Sequence, residues 1–335
     1  MTADGTAAAP ERPARSAFTE FTTKYASQIG ITVAFIALWL VFLVLAPETF
    51  GGDRIYKSFA QTTPYFAIMA MAVTMVIVAG DIDLSFGSIM ALGMVGFVWT
   101  WEATDNVLLG AVASLGVGAA AGLFNGLVIT IIGLPSLVVT IGTQFLFRGL
   151  MLVLVAGRSF SFGETRGDPT REAFVGKPFD IPMELWWLVL VTIVAWVLLN
   201  RHRLGQNTYV IGDNVQTARL MGTPIKRTRV TLFVISGLAA ALAGLLNSLQ
   251  FASFFPSMGS QILLPTLAAV FVGGTSVFGG RGSIYGTFLG AFMIGGIGAG
   301  IVAVGMTDFY TQLIYGAIIL ISISIHAVLQ RRFQR

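Results

Sequence analysis

Cysteine is absent from all 335 residues, and charged side chains make up only 11% of the chain. The lack of cysteine excludes disulfide frameworks, zinc thiolate sites and cysteine nucleophiles. Soluble domains carry about a quarter charged residues. The low charge, a 55% apolar share and a mean hydropathy of +0.82 therefore exclude a water-soluble globular protein. We expect a chain embedded in lipid.

Missing motifs exclude further classes of function. The sequence has no GxxxxGK[ST] motif, so the chain has no P-loop with which to bind ATP phosphates. His202 and His326 are isolated, with no HExxH motif and no acidic cluster at ligand spacing, which argues against a metal site. We expect no cofactor. The 20 basic residues form no concentrated stripe, so no nucleic-acid partner is expected either.

Long apolar stretches are what the sequence has instead. A helix needs about 20 residues to cross the hydrocarbon core, and ten stretches approach that length. They lie near 30–47, 62–79, 84–101, 107–132, 136–157, 185–200, 229–249, 262–280, 284–305 and 309–328. These stretches predict an all-α membrane protein, a polytopic bundle of about ten transmembrane helices.

The distribution of charge predicts the orientation. The segment 201–229 contains six basic residues and one acid, whereas 158–184 contains four basic residues and five acids. Basic loops stay in the cytoplasm, so both termini are expected there. We divide the chain into a disordered or interfacial tail (1–28), a membrane domain (29–330) whose segment 201–228 is cytoplasmic, and a basic tail (331–335).

A charged break, Gly80–Ser88, interrupts two apolar stretches. Its two carboxylates, Asp81 and Asp83, are costly in lipid and must face a turn, a cavity or another subunit. Asp83 and Ser85 are also suitable caps for a helix that begins near Phe86. Two interpretations stay open. The break is a capped turn at the cytoplasmic edge, or it is a helix interruption inside the membrane that binds a polar solute.

Other polar residues fall within apolar stretches. Arg148 must pair, reach the interface or face water, and Asn125, Gln144 and Asn247 could either hydrogen-bond between helices or line a solute path. The candidate path residues are Asp81, Asp83, Ser85, Asn125, Gln144, Arg148 and Asn247.

A short helix is predicted within the cytoplasmic segment. Residues 216–221 lie between a turn at Gly212–Asn214 and another at Gly222–Pro224. A small amphipathic helix of this kind suits docking into a groove of another protein. The alternative is a surface helix that lies on lipid headgroups.

Four ordered segments of the chain resemble the ribose/xylose-type permeases, the membrane subunits of bacterial ABC sugar importers. They are GDIDLSFGSIMALG (80–93), LPSLVVTIGTQFLFRG (134–149), GQNTYVIGDNVQTARLMG (205–222) and FGGRGSIYG (278–286). Together with the pattern of apolar stretches, the resemblance covers residues 60–330. Asp81 and Asp213 depart from the pattern at single positions.

The resemblance implies a type II ABC importer-like permease that moves a monosaccharide or related polyol and is not itself an enzyme. Implied partners are an ABC ATPase subunit, a periplasmic sugar-binding protein and a second permease chain, identical or paralogous. All would assemble at the lipid bilayer, and the resemblance implies that this is the inner (plasma) membrane of a bacterium. The short helix would couple to the ATPase. The residues expected to do so are Gly212, Asp213, Ala218, Arg219 and Gly222.

Two other functions are considered. The chain could be an ion-coupled secondary transporter in which Asp81, Asp83 and Arg148 relay charge, working without an ATPase. A membrane enzyme or scaffold is the third possibility. The presence or absence of an ATPase partner separates the first two.

Overall fold

The computed structural model describes residues 26–303 and 309–333. The predicted amino-terminal tail therefore lies outside the described residues up to residue 25. The last helix continues to Phe333, through most of the predicted basic tail.

The described chain is almost entirely helical. Its helices are α1 (Ala26–Leu45), α2 (Pro47–Phe50), α3 (Asp53–Val78), α4 (Phe86–Thr104), α5 (Val107–Leu127, extended by a π-helical turn, Val128–Ile132), α6 (Ser136–Leu154), α7 (Pro169–Val175), α8 (Met183–Asn200), α9 (Arg203–Asp213), α10 (Val215–Leu220), α11 (Ile225–Phe251), α12 (Leu263–Val272), α13 (Ile284–Ala303) and α14 (Phe309–Phe333). Single 3-10 turns occur at Gly163–Thr165 and Pro178–Asp180. The architecture confirms an all-α polytopic bundle.

Eight helices of the described chain are long and apolar enough to cross a membrane, against about ten predicted. The predicted span at 262–280 contains only the ten-residue α12, which ends in a glycine-rich turn. Among the described residues of the last predicted span, the apolar helical stretch is Tyr310–Ser324, which is too short to count as a full span. The count of ten is therefore not confirmed.

Helix α11 lies at the centre of the bundle, packed against α3, α4 and α5. Glycines let it approach α5 closely. A methyl group added at Gly118 would lie 2.5 Å from the carbonyl oxygen of Gly237, and one added at Gly122 would lie 2.2 Å from that of Phe233. Small residues allow this backbone-to-backbone packing between membrane helices.

The two ends of the bundle differ. One end carries α9 and α10 and is called the coupling end. The opposite end carries α7 and two short antiparallel strands, β1 (Phe160–Ser161) and β2 (Ser253–Phe254). There, the Arg171 guanidinium donates to the carbonyl oxygen of Leu249 at 2.8 Å, which fixes α7 against α11.

Candidate functional site at the break between α3 and α4

The predicted break is a non-helical segment, residues 79–85, between α3 and α4. Because α3 has 26 residues, it is about 39 Å long at 1.5 Å per residue, so the break follows a full-length span. It begins at the coupling end and runs inward along α11. It is therefore a turn at the end of a span, and it leads into the interior of the bundle.

The Asp83 carboxylate is fully buried and lies within a closed network. Oδ1 accepts from the Ser85 amide at 2.9 Å and from the Ser85 hydroxyl at 2.7 Å. Oδ2 accepts from the Ser236 hydroxyl of α11 at 2.7 Å. The side-chain amide of Asn125 on α5 donates to the Ser85 hydroxyl at 2.8 Å. A buried carboxylate is tolerated when its oxygens are hydrogen-bonded in this way, and here they connect α4, α5 and α11.

The Asp81 carboxylate pairs with a residue that the sequence analysis used only as a topology signal. Its Oδ2 lies 2.9 Å from Nε of Arg229, near the start of α11. The Asp81 side chain is 6% exposed and that of Arg229 is 23% exposed. The pair is therefore shielded from water on the carboxylate side, where charge attraction is screened least.

The second of the four segments that resemble the permease family, at the start of α6, holds the backbone of the break. The amide of Ile82 donates to the Ser136 hydroxyl at 3.0 Å, and the Thr140 hydroxyl donates to the Ile82 carbonyl at 3.1 Å. Ser136 and Thr140 are one helical turn apart on the same face of α6. They pair with both backbone groups of Ile82, which is half-buried and outside any helix, so these groups are not left without partners.

The third and fourth segments meet at the end of α3. A methyl group added at Gly212 would lie 1.7 Å from the Val78 carbonyl oxygen. That same oxygen accepts from the Gly280 amide at 2.9 Å. Tyr209 on α9 donates its hydroxyl to the carbonyl of Gly282 at 2.9 Å, and burial raises the pKa of this phenol. All four segments identified in the sequence thus meet around the break.

Helix α10 is one residue earlier than predicted and is capped by Asn214, whose Oδ1 accepts from the amides of Gln216 and Thr217 at 2.9 and 3.0 Å. Ala218, on the inner side of this helix, is fully buried. Two large apolar side chains are exposed at its end, Leu220 at 89% and Met221, the next residue, at 69%.

The predicted coupling residues therefore occupy two different environments. Gly212 and Ala218 face the bundle. Gly212 lies against the end of α3, and Ala218 lies on the buried side of α10. Asp213, Arg219 and Gly222 are exposed. The sequence analysis missed Leu220 and Met221, although two consecutive large apolar residues in a basic, solvated segment were a usable signal.

A small cavity lies beside the first turn of α4. Its volume is about 120 Å³, and it brings together two of the predicted path residues, Gln144 and Arg148 of α6. Nη1 of Arg148 donates to the carbonyl of Pro256 at 2.6 Å. The lining residues are Leu84, Gly87, Ser88, Gln144, Phe145, Arg148, Gly259, Ser260 and Leu263.

The remaining predicted path residue, Asn247, does not lie in this cavity. It is half-buried in the part of α11 nearest the opposite end. Asp81, Asp83, Ser85 and Asn125 are grouped around the break instead. Within the described residues, no group of three or more histidine and acidic side chains is placed to hold a metal ion.

Comparison with known proteins identifies the relatives of this chain. The family described as "Branched-chain amino acid transport system / permease component" matches residues 55–323. The ribose import permease protein RbsC of Escherichia coli strain K12 is 30% identical over 304 residues, which cover 90% of this chain and 94% of that protein. The autoinducer 2 import system permease protein LsrD of Salmonella typhi is 32% identical over 312 residues, 90% of this chain and 93% of its own length. No solved structure matches.

Proposed function

The chain belongs to the permease component family of branched-chain amino acid transport systems, and from this premise we propose that it is the membrane subunit of an ABC importer for a monosaccharide or related polyol. The observation that carries the proposal is the convergence of four sequence segments at the break, directly beside an exposed helix at the coupling end. Such an arrangement connects a surface for a motor protein to the interior of a membrane bundle.

The orientation follows from the charges at the coupling end. Five basic side chains there are exposed to solvent in the described chain. They are Arg201, Arg203, Arg219, Lys226 and Arg227. Basic segments between membrane spans remain in the cytoplasm, so we place the coupling end, and with it both termini, on the cytoplasmic side of a bacterial inner membrane. The opposite end then faces the periplasm, where a sugar-binding protein would deliver the solute.

The surface proposed for the ATPase is the outward face of α10. Leu220 and Met221 supply an exposed apolar contact, and Arg219 adds a charge beside it. An amphipathic helix that presents apolar anchors fits a groove in a partner protein. Gly212 and Ala218 lie on the side of α9 and α10 that faces the bundle. They hold these two helices against the bundle and so transmit movement to it.

We propose that the solute binds in the cavity beside α4. Ser88, Gln144 and Arg148 offer hydroxyl, amide and guanidinium groups to the hydroxyl groups of a sugar. The described residues that line it include no carboxylate, so the ammonium group of an amino acid would find no counter-charge. This favours a sugar over the amino acid in the family's description, in agreement with the ribose import permease among the relatives.

A second permease chain completes the proposed path. The face of α6 that carries Arg148 is exposed in a single chain, with Phe145 at 72% and Leu152 at 41%. A charged side chain near the middle of a span avoids lipid and faces a partner or a water-filled cavity. We therefore place a second copy or a paralogue across this face.

Replacement of exposed residues on α10 tests the proposal. Arg219→Glu and Leu220→Glu are expected to leave the protein folded in membranes but to abolish ATP-driven uptake and co-purification of the ATPase. Arg158→Glu, the same charge reversal at the opposite end, is the matched control and should still bind the ATPase. Normal ATP-driven uptake by both α10 variants would contradict the proposal.

The ion-coupled alternative has no support from the relatives, both of which are named as import permeases. Its proposed relay is also divided in the structure, because Asp83 is enclosed by serine hydroxyls whereas Arg148 donates to Pro256.

A further inference from the structure

The two carboxylates of the break contact two positions on one face of α11. Asp81 pairs with Arg229 at 2.9 Å, and Asp83 accepts from Ser236 at 2.7 Å. Arg229 and Ser236 are seven residues apart, which is close to two helical turns. The break is therefore fixed along α11 at two successive points.

The first of these points, the Asp81–Arg229 pair, lies next to α10, which we call the coupling helix. The connection from α10 to α11 is short and hydrogen-bonded. The Thr223 amide donates to the carbonyl oxygen of Ala218 at 3.0 Å, and the Thr228 amide donates to the carbonyl oxygen of Pro224 at 3.0 Å. Arg229 lies near the start of α11, which begins at Ile225 and is continuous to Phe251. Only the residues between Leu220 and Ile225 separate α10 from this helix.

On its other side the break leads directly into the cavity. Helix α4 begins at Phe86, and Gly87 and Ser88 in its first turn line the cavity wall. The backbone of Gly87 also touches Gly259 of the opposite wall, since a methyl group at Gly87 would lie 2.5 Å from the Gly259 carbonyl oxygen. A small movement of this turn changes the shape of the cavity.

We infer that the Asp81–Arg229 pair is the linkage through which movement of the coupling helix reaches the first turn of α4. Both side chains are positioning residues and neither binds the solute. The inference rests on the proposed function, because it assumes that an ATPase moves α10. The pair is suited to the role because separating a shielded ion pair leaves an uncompensated buried charge, so the break follows Arg229 when α11 shifts.

The absence of cysteine from the chain allows a direct test that needs no solute. Ser88→Cys places a single thiol in the cavity wall, and its rate of reaction with a small methanethiosulfonate reagent is followed by mass spectrometry in vesicles with the cognate ATPase, with and without ATP. We expect ATP to change this rate about tenfold in the otherwise unaltered chain. Arg229→Gln or Asp81→Asn should remove the response while ATP hydrolysis continues.

Controls separate a linkage from a loss of folding. Arg227→Gln removes the adjacent positive charge, which forms no ion pair within the described residues, and should keep the full response. Arg229→Lys retains the charge and should keep most of it. The double variant of Asp81→Asn and Arg229→Gln should be no more impaired than either single variant, because both remove one interaction.

Three results would overturn the linkage. They are an unchanged response in Arg229→Gln, additive losses in the double variant, or an Arg229→Lys response as small as that of Arg229→Gln. Failure of the proposed function gives a different result, because the chain with Ser88→Cys alone would then bind no ATPase and show no response to ATP.

Discussion

The backbones of Gly212 and Val78 are in direct contact. A methyl group on Gly212 would lie 1.7 Å from the Val78 carbonyl oxygen and 2.6 Å from the Gly280 nitrogen. This contact joins the end of α9 to the end of α3 and to the loop before α13. It places the segment 201–228 against the break.

Gly212→Ala should destabilise the protein because the atoms it would strike are backbone atoms that cannot rotate away. We expect a loss of about 3 kcal/mol, at the upper end for overpacking, and a lower melting temperature in detergent. Gly149→Ala is the control, since no atom lies within 4 Å of its added methyl group. Equal melting temperatures for the two variants would contradict the observed contact.

Ser236→Ala should expose the dependence of Asp83 on its hydrogen bonds. The variant leaves one oxygen of a fully buried carboxylate without its donor, which costs about 2 kcal/mol. Ser248→Ala is matched to it, because Ser248 is equally buried on α11 but only contacts the Met258 sulfur at 3.4 Å. Thermal unfolding in detergent should rank Ser236→Ala clearly below Ser248→Ala.

Tyr209 gives the coupling end a dependence on alkaline pH. Burial raises the pKa of its phenol above the ordinary value of 10.0. The stability it contributes is therefore complete below pH 10 and is lost as the pH rises through the folded-state pKa. Tyr209→Phe should cost about 1 kcal/mol at pH 8 by removing the hydrogen bond to Gly282. The difference from the unaltered protein should shrink at higher pH, as melting curves from pH 8 upward would show. A constant difference would argue against this titration.

Arg148→Gln tests whether the solute binds in the cavity beside α4. The variant removes the bond to Pro256 and the charge in the cavity, and we expect uptake to fall about tenfold with ATPase binding intact. Arg158→Gln removes an exposed arginine four residues beyond the end of α6 and should leave uptake unchanged. Equal uptake by both variants would place the path elsewhere.

Much of the fold was readable from apolar length, because a membrane span must satisfy its backbone internally and so leaves a long uncharged run. The break was also readable, since Asp81 and Asp83 interrupt such runs. The length of α12 was not, because a ten-residue helix followed by a glycine-rich turn gives the same hydropathy as a longer span.

The partners in the site could not be predicted. In the sequence, Arg229 is one of several basic residues that together indicate the topology. Only the packing of α11 against the break makes it the counter-ion of Asp81. Ser236 and Asn125 come from helices distant in sequence, and no local pattern marks them as neighbours of Ser85 and Asp83. Similarly, burial of Ala218 depends on how α10 rests on α11.

The central claim is that this chain is a membrane path moved by a separate ATPase. The most direct measurement is uptake of radiolabelled D-ribose and related monosaccharides by vesicles that contain the purified chain with its cognate ATPase and binding protein. We predict accumulation of one of these sugars only when ATP is hydrolysed, and none without the ATPase. Accumulation driven by an ion gradient in vesicles that lack the ATPase would contradict the account.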